Sequence, residues 1–276
     1  MRTSSNDQCS KRKSDFEKDS KKRGDSCFSR DENRKLYIIG IGPGDIEQMS
    51  LKAYRQLQEV EVIAGYKTYI NLINEIIKDK QTIFSTGMKK EKERALKAIE
   101  FVRQGKDVAV ISSGDPGIYG MAGLVLELLE KKDIESKPEI IPGITAGNAA
   151  AASLGAPLMH DFVVISLSDL LTPWSVIEKR LHKAGEGDFV VVLYNPSSKK
   201  RKNQIIQARK IMLKYKKSAT PVGIVRNAKR GQEEIKNSNL EDMLDNKIDM
   251  LTTVIIGNSK TKNYNDLMIT PRGYEL

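Results

Sequence analysis

The feature that most constrains this chain is a series of short apolar runs, several of them cut off by a glycine-rich break. "LYIIGI", "VAVIS", "EIIPG", "FVVISL", "DFVVVLY", "VGIV" and "TTVIIG" succeed one another from residue 36 onward. They are apolar at consecutive rather than alternate positions, which marks strands covered on both faces, as in α/β sheets. Helical patterns lie between them. Met49, Ala53, Leu57 and Val60 form one apolar stripe, and Ile118, Met121, Val125 and Leu128 another, so both are expected to face a core. Near "SLGAPLMHD" (153–161) the first alternation ends in a small-residue turn, and a second begins at Phe162. The pattern predicts an α/β chain of two α/β domains, 36–157 and 158–276, with a cleft between them.

Residues 1–35 have a different texture. They carry eleven basic and seven acidic side chains and few apolar ones, too little to offset the entropy of ordering, so a disordered basic extension is expected. Its cysteines, Cys9 and Cys27, stand far apart and outside any metal-binding spacing. No apolar stretch approaches the roughly 20 residues of a bilayer span, and no secretory signal opens the chain. A cytoplasmic protein without a membrane partner is expected. The net charge of +10 suits a polyanionic ligand. Nucleic acid is the less suitable polyanion, because aromatics make up only 6% and none interleave with the basic residues.

Three loops follow predicted strands, where α/β sheets bind ligands. "GIGPGD" (40–45) has Gly40, Gly42 and Gly44 for a tight turn, but Asp45 stands where a dinucleotide fingerprint needs glycine, and Pro43 removes an amide donor. "SSGDPGIYG" (112–120) offers close backbone approach at Gly114, an acceptor in Asp115 and a ring in Tyr119, a set that fits a nucleoside better than a phosphate. Asp115 and Pro116 read equally well as an ordinary helix start. "PGITAGNAAAASLGAP" (142–157) leads into a helix whose alanines demand close packing, against sheet or ligand.

These loops, in this order, resemble the signatures of the tetrapyrrole methylase family from about Leu36 to about Asn258. "VVISLSDLLTPW" (163–174), "VVLYNPSSKKR" (191–201) and "VGIVRNAKRGQEE" (222–234) resemble the branch that methylates C17 of the macrocycle and contracts the ring in cobalamin biosynthesis. The resemblance implies S-adenosylmethionine as methyl donor and a tetrapyrrole substrate, metal-free (precorrin-3B) or cobalt-bearing (cobalt-factor III), in a homodimer. It places the donor against Pro43, Gly114, Asp115, Ile118, Tyr119, Thr145 and Ala146, with Tyr194, Asn195, Arg226 and Asn227 closing from the second half. Gly42, Gly44, Arg201 and Arg230 would meet the substrate, the arginines and Arg226 gripping its carboxylates, with Lys199 and Lys200 adding general attraction.

Methyl transfer from a sulfonium needs alignment and exclusion of water rather than a metal or a nucleophilic triad. The two histidines, His160 and His182, are isolated in sequence, and no metal site is expected. Ring contraction also needs a proton to move. Ser166, Ser168 and Asp169 are the candidates, with Asp169 as acid or base; Ser168 or Asp169 as a helix cap is the competing reading. A methylase acting at another ring carbon is the alternative within the family, and a nucleic-acid-binding protein the alternative outside it.

Overall fold

The computed structural model describes residues 35–199 and 201–275. The expected extension up to Arg34, with Cys9 and Cys27, lies outside the described residues, as do Lys200 and Leu276.

The first half alternates strand and helix. Strand β1 (Leu36–Gly40) leads to helix α1 (Leu51–Glu59), β2 (Val62–Tyr66) to α2 (Lys67–Leu72), and β3 (Thr82–Thr86) to α3 (Glu91–Arg103). Then β4 (Val108–Ser112) leads to α4 (Ala122–Lys131), and β5 (Glu139–Ile141) closes the set. The Ser50 hydroxyl starts α1 by accepting the Ala53 N–H at 3.2 Å. Acidic Glu91 and Glu93 in the first turn of α3 and Arg103 in its last suit the helix dipole. All pairings are parallel, in the order β3-β2-β4-β1-β5. Ile38, Val62, Val110 and Val125 pack on one face, and Ile39, Leu57, Ile63 and Ile111 on the other. Both faces are covered, and the loops after β1, β4 and β5 gather at the carboxyl edge, where α/β sheets bind ligands.

The second half comprises α5 (Ala146–Leu154), β6 (Gly155–Ala156), β7 (Phe162–Ser166), α6 (Trp174–Glu186), β8 (Val190–Tyr194) and α7 (Asn203–Met212). It ends with β9 (Pro221–Arg226), β10 (Glu234–Asn239), β11 (Thr252–Ile256), β12 (Lys262–Tyr264) and β13 (Leu267–Ile269). Its main sheet runs β10-β9-β11-β8-β7, parallel only between β7 and β8. The short strands β12 and β13 join β6 in a small separate sheet.

Helix α5 precedes the expected 157/158 boundary, yet its Ala149, Ala150, Ala151 and Leu154 pack with Val190, Val192, Val225 and Ile255 of the second sheet. Small side chains let helix and sheet approach closely, and the approach leaves no room at Gly223. A Cβ there would collide with the Leu154 side chain. Gly223→Ala is expected to lower unfolding free energy by about 1–3 kcal/mol, read from urea denaturation.

Candidate active site

Glycines bring the three loops into backbone contact. Gly42 and Gly114, both at positive φ, exchange two hydrogen bonds of 3.2 and 2.7 Å. A Cβ on Gly143 would strike the carbonyls of Gly114 and Gly40, so residue 143 must be glycine for the loops after β1, β4 and β5 to meet. Pro43 is buried within this contact. Asp115 fastens it: one carboxylate oxygen accepts the Gly117 N–H at 2.8 Å and the other the Gly143 N–H at 3.1 Å. The helix-start reading of Asp115 and Pro116 fails, because α4 begins only at Ala122. Ile118 accordingly leaves the apolar stripe expected for it and is exposed in the loop, while Met121, Val125 and Leu128 are buried.

Two tyrosine hydroxyls then tie the loops of the first half to the second. Tyr119, at φ 54°, donates to the Val164 carbonyl at 3.2 Å and accepts the Ser166 N–H at 3.1 Å, occupying the open edge of β7. In the opposite direction, the Tyr194 hydroxyl accepts the Gly147 N–H and bonds Thr145 Oγ1, both at 2.5 Å. Thr145 therefore caps α5 with its backbone alone, and a tyrosine from β8 satisfies an amide of the first turn. Burial raises the Tyr194 phenol above its usual range, against the lowering effect of those two bonds, so it stays a neutral hydroxyl at working pH. The two rings tilt against each other with centroids 5.8 Å apart.

The stretch after β7 forms a second network. Ser166 Oγ accepts from Asn195 Nδ2 at 2.9 Å and from the Ser168 N–H at 3.3 Å. Asp169 accepts from Gln204 Nε2 at 2.8 Å and lies 3.8 Å from Arg201 Nε. The cap reading of Ser168 and Asp169 fails here too, since α6 starts at Trp174, behind Pro173. Leu170 and Leu171 protrude from this loop, Leu171 at 98% exposure.

The arginines part company. Arg201 was expected to grip a substrate carboxylate; instead its guanidinium donates to the carbonyls of Leu167 (2.9 Å) and Asn195 (2.7 Å). Arg226 is likewise committed, to Asp249 at 2.8 Å and Glu234 at 2.7 Å. Asn227, at φ 53°, shapes the turn between β9 and β10 by bonding the Gln232 carbonyl through Nδ2. Arg230 from that turn reaches the first half, where its stem lies over Gly44: a Cβ there would sit 2.8 Å from Arg230 Cγ. Gly44, at φ 137°, is thus covered by an arginine and not bare to a ligand.

Of the expected residues, Asp115, Tyr119, Thr145, Ser166, Tyr194 and Asn195 bond to one another or to the loops that meet here, whereas Arg226 and Asn227 bond to partners within the second half. The three loops contain no lysine or arginine. Exposed Ile118, Tyr119 and Ile144 give them apolar surface beside Gly114, Thr145 and Ala146. That chemistry fits a nucleoside and thioether without phosphate. Surface cavities of 670 Å³, bordered by Phe84, Lys89 and Glu100, and of 580 Å³, bordered by His160, Asp188 and Arg272, contain no residue of these loops. Among the described residues no group of three or more His, Cys, Asp or Glu is placed to hold a metal ion, and no helix is long and apolar enough to cross a membrane. Three side chains near the carboxyl edge escaped the sequence reading: Tyr66, Tyr69 and Arg94. Arg94 left a legible trace, a charge at a core-facing position of α3 beside Ala95 and Ala98.

Comparison with known proteins gives this arrangement its class. A family model of the tetrapyrrole (corrin/porphyrin) methylases matches residues 35–244; the chain belongs to that family. It is 53% identical over 245 residues to the cobalt-factor III methyltransferase of Priestia megaterium, covering 87% of this chain but 45% of that protein, so it spans about half of that relative. It is 52% identical over 241 residues to the probable cobalt-factor III C(17)-methyltransferase of Salmonella typhimurium, covering 87% of this chain and 100% of that one. Among solved structures, the methyltransferase CobJ matches with a TM-score of 0.81 and 34% identity, over 86% of this chain and 100% of that one.

Removing the Tyr194 hydroxyl isolates the seam. Tyr194→Phe is expected to cost about 1–3 kcal/mol of stability in urea denaturation, by orphaning the Gly147 amide. S-adenosylhomocysteine affinity, measured by calorimetry, should fall as well, while Asn227→Ala should leave the seam intact.

Proposed function

We propose that this chain transfers a methyl group from S-adenosylmethionine to C17 of cobalt-factor III, with contraction of the macrocycle, in cobalamin biosynthesis. The observation that carries this reading is the 52% identity to a relative of that name along that relative's whole length. The names of both relatives, each above 50% identical, favour the cobalt-bearing substrate over metal-free precorrin-3B.

When bound, the donor supplies an already activated methyl group. The work left to the protein is to align sulfur, methyl and accepting carbon and to keep water out. Gly114, Thr145 and Ala146 would face the donor with backbone and small side chains, and Ile118 and Tyr119 with apolar surface. Asp115 acts one step back: both its oxygens hold loop amides, so it fixes the shape of the pocket rather than gripping the donor. Tyr119 and Tyr194 set the width of the seam.

Ser166, Ser168 and Asp169 stand on the second side, where a macrocycle would lie. Asp169 is half-buried, held by Gln204 and near Arg201, and would take or return a proton during contraction. The exposed Leu170 and Leu171 offer apolar cover for a macrocycle face. A cytoplasmic homodimer belongs to the same reading and rests on the family resemblance.

Mass spectrometry of cobalt-factor III and precorrin-3B after incubation with protein and S-adenosylmethionine tests the proposal. One added methyl group on cobalt-factor III is expected, at C17 by NMR; methylation at another carbon, or none despite donor binding, would overturn it. Asp169→Asn should lower kcat by about 10²-fold or more while leaving S-adenosylhomocysteine affinity unchanged.

A further inference from the structure

We propose that Arg230, Tyr66, Tyr69 and Arg94 form a recognition corner for one peripheral carboxylate of the macrocycle, with Arg230 making the contact and Arg94 acting as a positioning residue. The proposal rests on the reading of the substrate as a polycarboxylate tetrapyrrole.

Arg230 differs from the other arginines along the seam. Arg201 and Arg226 are bound to carbonyls or carboxylates within the protein. The Arg230 guanidinium has neither ion pair nor hydrogen bond among the described residues, though it is partly buried. Burial pushes it below its ordinary value, and only the phenols of Tyr69 and Tyr66 oppose that. A half-desolvated guanidinium without an acceptor is an unfinished bidentate site. Gly44 appears in the sequence where the stem of this arginine must lie against the loop after β1.

Arg94 supplies the second observation. It is 3% exposed, yet it forms no ion pair among the described residues. Its Nη1 donates to Met121 Sδ at 3.6 Å and its Nη2 to the Gly87 carbonyl at 3.4 Å, both uncharged acceptors, and Nε has no partner. The neighbouring Thr86 hydroxyl is buried and unpartnered as well. Glu91 and Glu93 of its own helix act on it only from beyond ion-pair distance, and a buried cation without a direct counter-charge is costly to keep for folding alone. Its position explains it: Arg94 and Arg230 both lie within electrostatic reach of the Tyr69 phenol, where their two charges outnumber the one carboxylate that also acts there, Glu91; the Tyr69 ring meets Tyr66 edge-on at 5.2 Å. Tyr66 closes β2 and Thr86 closes β3, so the group stands at the carboxyl edge of the first sheet, on the same side as the proposed donor site. Arg94 holds positive potential around phenols that can donate to the carboxylate Arg230 grips.

Steady-state kinetics with cobalt-factor III and S-adenosylmethionine test the corner. Arg230→Met should raise the tetrapyrrole KM by about tenfold or more, with kcat changed by less than about threefold and donor KM unchanged. Arg230→Lys should recover little, since a lysine cannot bind bidentately. Arg94→Met should raise the same KM without lowering Tm, and Arg94→Lys, which keeps the charge, should restore most of it. An unchanged KM in a folded Arg230→Met protein would overturn the proposal, as would donor and tetrapyrrole affinities falling together. A fall in Tm with unchanged KM would make Arg94 purely structural; if Arg94→Met fails to fold, the Arg230 variants decide. Should the wild-type protein leave cobalt-factor III unmethylated, the functional reading fails, and the corner is judged by binding of uroporphyrin III against its octamethyl ester. A preference for the free acid that disappears in Arg230→Met supports the corner; one that survives overturns it.

Discussion

The candidate site depends on two tyrosine hydroxyls, one reaching from the first half to β7 and the other from β8 to the loop after β5 and the helix that follows it. Tyr119 leaves a loop of the first sheet and completes the open edge of β7. Tyr194 leaves the end of β8 and satisfies the first turn of the helix that follows β5. Each bond contributes only about 1 kcal/mol net. Their importance is positional, because Tyr119 ties a loop of the first half to backbone of the second, and Tyr194 ties the end of β8 to Thr145 in the loop after β5 and to the start of α5. Gly147 makes the second bond possible: a Cβ there would stand 2.9 Å from the Tyr194 hydroxyl.

Charge is sorted around this seam in a way that composition alone does not reveal. The surplus of +10 suggests a generally basic surface, but individual cations have separate fates. Arg209 holds the carbonyls of Leu240 and Glu241, and Lys216 is buried against Asp188 and the Phe189 carbonyl. Arg201 and Arg226 brace the loops of the second half. Against that background Arg230 and Arg94 are conspicuous for what they lack. Among the described residues the Arg230 guanidinium has no bond or ion pair, and Arg94 bonds only uncharged acceptors, the pattern that the proposed carboxylate corner would explain.

Much of the architecture was legible because the physics that builds a buried strand is local. Runs such as "VAVIS" and "VVVLY" became strands buried along almost their whole length, and the three glycine-rich loops gathered where strand polarity placed them. β3 and β10 escaped notice as sheet edges, since "TIFST" and "EIKNSN" are largely exposed and carry no continuous apolar signal; β2 escaped although it is buried, because "VIAGY" is short and broken by Gly65. The helix-start readings failed for a related reason. Asp115, Ser168 and Asp169 are residue types that cap helices, but here Asp115 accepts the Gly143 amide, Asp169 accepts from the Gln204 side chain, and Ser168 donates its own amide to the Ser166 hydroxyl. Which arginine would remain free was not legible at all. Nothing in "YNPSSKKR" shows that Arg201 will turn inward to two carbonyls, whereas Arg94 could have been suspected from its place among alanines.

A crystal structure with S-adenosylhomocysteine tests the seam most directly. The account predicts the nucleoside between the 112–120 and 142–147 loops, against Ile118 and Thr145, with the Tyr194 hydroxyl still bonded to the Gly147 amide. A ligand lodged instead in the cavity beside His160 and Arg272, or a seam whose tyrosine bridges are broken when the ligand is bound, would contradict it.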